Sequence, residues 1–351
     1  MIPEEDWISR PCDWLRSGEQ DGDVVVSTRV RLARNLRGYP MPWRMTKDER
    51  IEVESLISEQ LNHANVGEEL QRIRLDEVGE IQRHLLVERH LISRELAEGD
   101  GRRGAYLGHA ERLAIMTIEE DHLRLQSLRA GFQVEDAWQQ LNTIDSKLEK
   151  HLPYAVSEEL GYLTSCPTNV GTGMRVSVML HLPTLAQTKQ IDKVANAAAK
   201  VGLVLRGYRG EGSEAIGDLH QVSNQVTLGR SEEDIRDDLE RMVTKIVEWE
   251  RGLRRLLLQQ SRNEMEDRIW RAFGILRFAR RINTEEALTQ LSTLRLGVHL
   301  DILSSVDLQT LNELFLLTQP AHLQSLLGCD LDADERDQHR ATYIRDRLAR
   351  Q

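Results

Sequence analysis

The sequence predicts a mixed α/β domain followed by an all-helical one, and three observations carry that prediction. From about Asp23 to Gly229, short β-like runs alternate with helical stretches and with loops rich in Gly, Ser, Thr and Asn. Ser231 then opens a helix with Glu232, Glu233 and Asp234 in its first turn, where acidic groups oppose the positive end of the helix dipole. Beyond that helix, the residues through Gln351 read as more helices, broken near Gly274, Gly297, Pro320 and Gly328.

In chain order, the β-like runs are Val24 to Ser27, Leu113 to Ile118, Val176 to Leu182, Leu203 to Arg206 and Gln221 to Leu228. The long helix has apolar residues at Ile235, Leu239, Met242, Ile246 and Trp249, three to four apart, and is expected to run to about Asn263. A length of 351 residues suits about two domains, here 1–257 and 258–351.

Composition excludes several functions. Lys and Arg number 46 against 57 Asp and Glu, a formal charge of -11, so the chain as a whole is a poor polyanion binder and nucleic acid is not an expected partner. Four Phe, six Trp and six Tyr are too few and too scattered for a base-stacking surface. Cys12, Cys166 and Cys329 lie far apart with no paired spacing, which argues against a metal clip or disulfide framework and for a reducing, cytoplasmic setting. The acidic start, Met1 to Asp6, does not read as a secretory signal, and no apolar run approaches the ~20 residues that span a bilayer, so no membrane partner is expected.

No Gly-Lys dipeptide occurs, so the P-loop is absent, as are the His-Arg-Asp and Asp-Phe-Gly strings of protein kinases. Gly210 to Ala215 fits a loose dinucleotide pattern, but its two glutamates would oppose a pyrophosphate. Arginine within β-like or glycine-rich sequence is the stronger signal. Arg29 and Arg31 share one face of a strand by alternation. Arg124 follows Glu119-Glu120-Asp121-His122, Arg175 follows Gly171-Thr172-Gly173, and Arg206 ends an apolar run. Singly each reads as a solvated surface arginine; together they could converge on a polyphosphate, because guanidinium forks bind phosphate oxygens bidentately.

Four strings carry a family resemblance: Ser27 to Arg31, Glu119 to Arg124, Cys166-Pro167-Thr168-Asn169-Val170-Gly171-Thr172-Gly173, and Arg206 to Glu211. They resemble the ATP:guanido phosphotransferases, the family of creatine and arginine kinases. Val87 to Ser93, Gly161 to Pro183 and Gly210 to Ala215 resemble its bacterial protein-arginine kinase branch. The resemblance implies an antiparallel sheet flanked by helices, with ATP and Mg²⁺ as cosubstrate and metal, the metal held mainly through the nucleotide and not by a protein site. It implies that Arg29, Arg31, Arg124, Arg175 and Arg206 grip the phosphates and that His90 lies against adenine. Ser27, Thr28 and Val30, with the backbone of Val176, Ser177, Val178 and Met179 and of Gly207, Tyr208, Arg209, Gly210 and Glu211, would complete the nucleotide site. On residues alone, His90 reads as an ordinary surface or core histidine in a helical run.

The chemistry gives the remaining residues their roles. Phosphoryl transfer passes through a loose transition state, so alignment and charge neutralisation do most of the work. The acceptor guanidinium is protonated at neutral pH, with a pKa above ~12, and has no free lone pair. A carboxylate can align it and accept its proton as the N–P bond forms. The resemblance puts Glu120 and Glu211 in that pair, Glu120 as general base, and sets the Cys166 thiolate against the acceptor to orient it without covalent catalysis. Gly210 and Gly212 flank Glu211, as suits a closing loop. Read without the family, Glu119 to Asp121 could equally be a solvated acidic turn. Cys12 and Cys329 match no role.

The sequence departs from the family pattern twice. Ile118 stands where the family has Asn, and only 22 residues precede the first strand where metabolite kinases carry a helical domain of about a hundred residues. The shorter start is expected to leave the acceptor side open to a protein. Near the other end, Arg336-Asp337-Gln338-His339-Arg340-Ala341 resembles the Arg-Asp-x-x-Arg-Ala motif of the protein-arginine kinases, and Arg336, Asp337, Arg340 and Ala341 are expected to sense phosphoarginine. The bland alternative is a helix face laced with ion pairs. The expected function is ATP-dependent phosphorylation of arginine in other proteins. A Clp-type protease, an activator protein and a homo-oligomer are the partners the branch implies. The rivals are a kinase of a free guanidino metabolite and a non-catalytic phosphoarginine-binding adaptor.

Overall fold

A computed structural model describes residues 12–64, 66–207 and 216–349. Eight strands form one antiparallel sheet: β1 (Val25–Arg34), β2 (Gln71–Arg74), β3 (Gly104–Leu107), β4 (Leu113–Thr117), β5 (Leu123–Ala130), β8 (Met174–His181), β9 (Leu203–Gly207) and β10 (Leu219–Asn224). Their order is β2-β3-β4-β5-β1-β8-β10-β9, and β6 (Val156–Ser157) with β7 (Gly161–Tyr162) forms a separate small hairpin. The mixed α/β class, the antiparallel sheet and the helical C-terminal region are therefore as expected.

The two sheet faces are covered differently. Val30, Leu32, Val176, Val178 and Val222 turn to one face and pack against two helices. Helix Val134–Glu149 contributes Val134, Ala137, Leu141, Ile144 and Leu148, an apolar stripe at three- and four-residue spacing. Helix Glu232–Gln260 contributes Ile235, Leu239, Met242, Val243 and Ile246. Its start is a reciprocal cap, in which the Asp234 N–H donates to Ser231 Oγ at 3.1 Å and the Ser231 N–H to the Asp234 carboxylate at 3.3 Å. On the opposite face, Ala105, Leu107, Ala114 and Met116 lie under the segment that holds helices Glu80–Glu88 and Arg94–Glu98. At the far end, Met179 and Leu219 join the apolar cluster of the C-terminal helices. Between those two covers the middle of the sheet stays open.

Three local expectations are corrected. The long helix ends at Gln260 and not near Asn263, because Ser261 leaves helical geometry (φ -138°) before Arg262–Phe278 begins. Gly274 and Gly297 break nothing and lie inside helices Arg262–Phe278 and Thr284–His299. At Gly297 the reason is close packing: a Cβ there would come within 2.5 Å of the Ile269 side chain. Pro320 and Gly328 do punctuate, as the first residue and the left-handed cap of helix Pro320–Leu327.

Candidate active site

The open middle of the sheet forms the floor of a cleft of about 2610 Å³. Strand register places the arginines there. Arg31 on β1 faces Arg175 on β8, Arg29 faces Ser177, and Gln221 on β10 faces Arg206 on β9. On the other side Arg31 faces Gln126 and Ala33 faces Arg124, so β5 continues the same stripe. All five predicted arginines line the cleft. Like charges directly opposite one another on a sheet destabilise it, so this stripe is maintained against a folding cost.

Polar neighbours aim these side chains. Arg29 donates to Gln221 Oε1 at 3.0 Å and to Ser177 Oγ at 3.4 Å, and Arg175 donates to Ser223 Oγ at 3.3 Å. Burial, with Arg175 nearby, brings the Arg29 pKa down to about 10. Burial first, then Arg29, Arg175 and Arg124, pushes Arg31 well below the ordinary arginine value. A desolvated positive cluster of this kind favours a bound polyanion. Arg124 differs: burial opposes its charge, but Glu119, Asp121 and Glu120 more than compensate and raise its pKa.

The β4–β5 turn presents the carboxylates. Ile118 begins it with a left-handed backbone (φ 56°), strained for a β-branched residue and one that Asn tolerates more readily. Its N–H still donates to His122 O at 3.0 Å. Asp121, fully buried, anchors the turn, accepting from Asn35 Nδ2 and from the Ser165 N–H, both at 2.8 Å. His122 locks it from behind, its Nδ1 accepting from the Leu36 N–H and its Nε2–H donating to Pro40 O, each at 2.9 Å. Glu119 is consumed structurally by Arg124 at 2.6 Å and by the Ser93 hydroxyl at 2.5 Å. Glu120 pairs with Arg124 but keeps 43% of its side chain exposed, toward the cleft.

Asp121 also ties this turn to the cysteine loop, since Ser165, whose N–H it accepts, donates its hydroxyl to Glu120 O at 2.5 Å. The next residue, Cys166, lines the cleft with its Sγ 3.0 Å from Thr168 Oγ1. The chain returns to β8 through Gly173, whose left-handed φ of 62° and position 2.6 Å (as a Cβ) from Ala33 O admit no side chain. His90 lies just past helix Glu80–Glu88 rather than within it, lines the cleft, and has its pKa brought down to about 3 by burial, then Arg29 and Arg94.

Other predicted residues take different positions. Alternation turns the side chains of Thr28, Val30, Val176 and Val178 away from the cleft, which leaves only their backbone for the nucleotide contact expected of them. The valines sit in the core, and the Thr28 hydroxyl donates to Gly131 O at 2.7 Å. Ser27, Ser177 and Met179 share the arginine face, Ser27 and Ser177 buried in the sheet and Met179 under the C-terminal helices. Gly207 ends β9; Tyr208, Arg209, Gly210 and Glu211 lie outside the described residues. In the C-terminal helix Ala333–Ala349, Arg336 lines the cleft and donates to Leu331 O at 2.6 Å. Arg340 is 1% exposed and donates to Thr318 O, Ile282 O and Asp337, while Ala341 is buried. Among the described residues no group of three or more His, Cys, Asp or Glu side chains is arranged to hold a metal ion.

Residues 52–253 match the family profile described as ATP:guanido phosphotransferase, C-terminal catalytic domain, and residues 262–351 match one described as protein-arginine kinase McsB C-terminal domain. Among solved structures, the chain resembles a lombricine kinase at TM-score 0.58 and 29% identity, over 68% of this chain and 69% of that one. It also resembles the duplicated taurocyamine kinase from Schistosoma mansoni at TM-score 0.60 and 30% identity, over 70% of this chain and 35% of that longer one. The chain belongs to the ATP:guanido phosphotransferase family. Within it, the chain falls in the protein-arginine kinase branch. It is 44% identical to the protein-arginine kinase of Desulforamulus reducens over 97% of each chain, and 46% identical to that of Brevibacillus brevis over 96% of this chain and 95% of the other.

The cysteine gives the first prediction. Cys166→Ala is expected to lower activity, and a thiol reagent to inactivate the enzyme with Mg-ATP and acceptor protecting. Cys12 is 2% exposed and out of reach, whereas Cys329 is exposed and also lines the cleft. Because the effect is assigned to Cys166, the Cys329→Ala variant is expected to keep its activity and its sensitivity to the reagent. Sensitivity retained by Cys166→Ala would locate the reactive group elsewhere.

Proposed function

We propose that this chain transfers the γ-phosphoryl group of Mg-ATP to arginine side chains of other proteins, with Glu120 as general base. The observation that carries the reading is one cleft in which five arginines meet an exposed glutamate and a cysteine. In the proposed step an acceptor nitrogen attacks the γ-phosphorus, the N–P bond forms, the bond to the bridging oxygen breaks to release ADP, and the guanidinium proton passes to Glu120. The arginines offset charge on the phosphate oxygens, and the Cys166 thiolate holds the acceptor by its charge. Mg²⁺, brought on the nucleotide, supplies further neutralisation of those oxygens. Glu211 is the proposed second carboxylate.

The proposal assigns chemistry to residues 1–257 and phosphoarginine sensing to 258–351. Arg336, which faces the cleft, is the proposed ligand contact, while Asp337, Arg340 and Ala341 hold its helix in place. A cytoplasmic setting, an activator protein, a homo-oligomer and delivery of marked proteins to a Clp-type protease belong to the same proposal and rest on the family resemblance. The test is mass spectrometry, at neutral pH that spares the acid-labile P–N bond, of an unfolded model protein and of free arginine after incubation with Mg-ATP. Phosphoryl groups on protein arginine are expected. Phosphorylation of free arginine alone would favour a metabolite kinase, and no phosphorylation of either would favour an adaptor.

A further inference from the structure

Three consecutive residues, Glu88, Arg89 and His90, reach three different parts of the molecule. Glu88 ends helix Glu80–Glu88, yet its carboxylate serves another helix. It accepts from the Ala321 N–H at 2.8 Å, the His322 N–H at 3.0 Å and His322 Nδ1–H at 2.6 Å. These are first-turn donors of helix Pro320–Leu327, where N–H groups lack intrahelical partners and the dipole favours an anion. Pro320 occupies the first helical position and has no N–H, so Ala321 and His322 are the first donors available. The helix start is fastened from its other side too, because Arg340 Nε donates to Thr318 O at 2.8 Å.

Arg89 turns inward. It is fully buried, pairs with Glu111 at 2.6 Å, and its carbonyl accepts from Trp14 Nε1 at 3.2 Å. His90 then enters the cleft with a left-handed φ of 60°. Its carbonyl accepts from Gln126 Nε2 at 2.6 Å, and its ring stands edge-on to Trp14 with centroids 4.9 Å apart. A non-glycine residue keeps a left-handed backbone only where its surroundings over-determine it. Here the peptide on one side of His90 is set by Glu88 and Arg89, and Glu88 is held by the C-terminal helices.

We propose that Glu88 is a positioning residue for the nucleotide site: by capping helix Pro320–Leu327 it fixes the backbone of His90, so the C-terminal helices help to set nucleotide affinity. The inference rests on the reading of His90 as a nucleotide contact. Removing the charge weakens the cap and leaves residues 88–90 free to relax from the left-handed turn, which displaces the imidazole without touching the phosphate-binding arginines or Glu120.

The experiment is a double-mutant cycle on the full chain, with ADP affinity by calorimetric titration and kcat and KM for ATP measured alongside. Glu88→Gln is expected to weaken ADP and raise KM for ATP by about 3- to 10-fold, with kcat little changed. In a His90→Ala background the same substitution should add nothing, because its effect passes through that residue. Thermal melting monitors folding, and His322→Ala, which deletes one of the three contacts, repeats the cycle should Glu88→Gln prove unstable. Equal effects of Glu88→Gln in both backgrounds, or unchanged ADP affinity in the single variant, overturn the positioning role. Unchanged ADP affinity in His90→Ala overturns the nucleotide reading of His90 itself, and the clamp with it.

Discussion

Glu120→Gln is expected to keep nucleotide affinity near the parent value and to slow phosphoryl transfer by about 10²–10⁴-fold, the usual worth of a positioned general base. The amide keeps the shape of the carboxylate and can still accept from Arg124, so the β4–β5 turn should hold its form. Asp121, Asn35 and His122 fix that turn independently of the Glu120 side chain. What the amide cannot do is take the guanidinium proton. Single-turnover transfer to a protein acceptor, beside ADP titration, measures the two effects separately, and parent-like turnover would remove Glu120 from the mechanism.

A comparably large loss is expected at Arg206. It contributes from the edge strand β9, at one end of the arginine stripe. Charge on the phosphate oxygens shifts during transfer, so Arg206→Ala should lower the transfer rate by about 10²–10³-fold and weaken ATP binding much less. Arg124→Ala should slow transfer as well but is the less clean probe. It would strip the counter-charge from Glu119, 1% exposed, and Asp121, fully buried, and cost about 3–5 kcal/mol of stability. Equal losses of rate and affinity in Arg206→Ala would reassign that residue to ground-state binding.

The sequence made part of this site legible because the relevant rules are local. Period-two alternation predicted that Arg29 and Arg31 share a face, and the same alternation, applied to Thr28, Val30, Val176 and Val178, would have sent their side chains away from the nucleotide. What holds the carboxylates was not legible. Asp121 meets Asn35 across 86 positions and Ser165 across 44, and no spacing rule connects them. Gln221, which aims Arg29, is 192 positions away and becomes its neighbour only through β8 and β10. Arg340 was misleading for a different reason: an arginine on a charged helix looks solvated, and only the turn at Thr318 and the carbonyl of Ile282 reveal it as a buried staple. Gly274 and Gly297 read as breaks because propensity favours that, yet inter-helix packing at Ile269 is what Gly297 serves.

The arginine stripe has a consequence for the stability of the folded chain. Burial and neighbouring arginines, Arg175 among them, disfavour the charge of Arg29 and Arg31, and a polyphosphate that neutralised this cluster would find it assembled only in the folded chain. Ligand binding of that kind adds RT ln(1 + [L]/Kd) to folding stability, about 2.7 kcal/mol at a hundredfold excess over Kd. If the cleft takes ATP as proposed, nucleotide is thus also a folding ligand: the chain is expected to melt at a higher temperature as ATP is added, and an unchanged melting temperature would argue against nucleotide binding at the stripe.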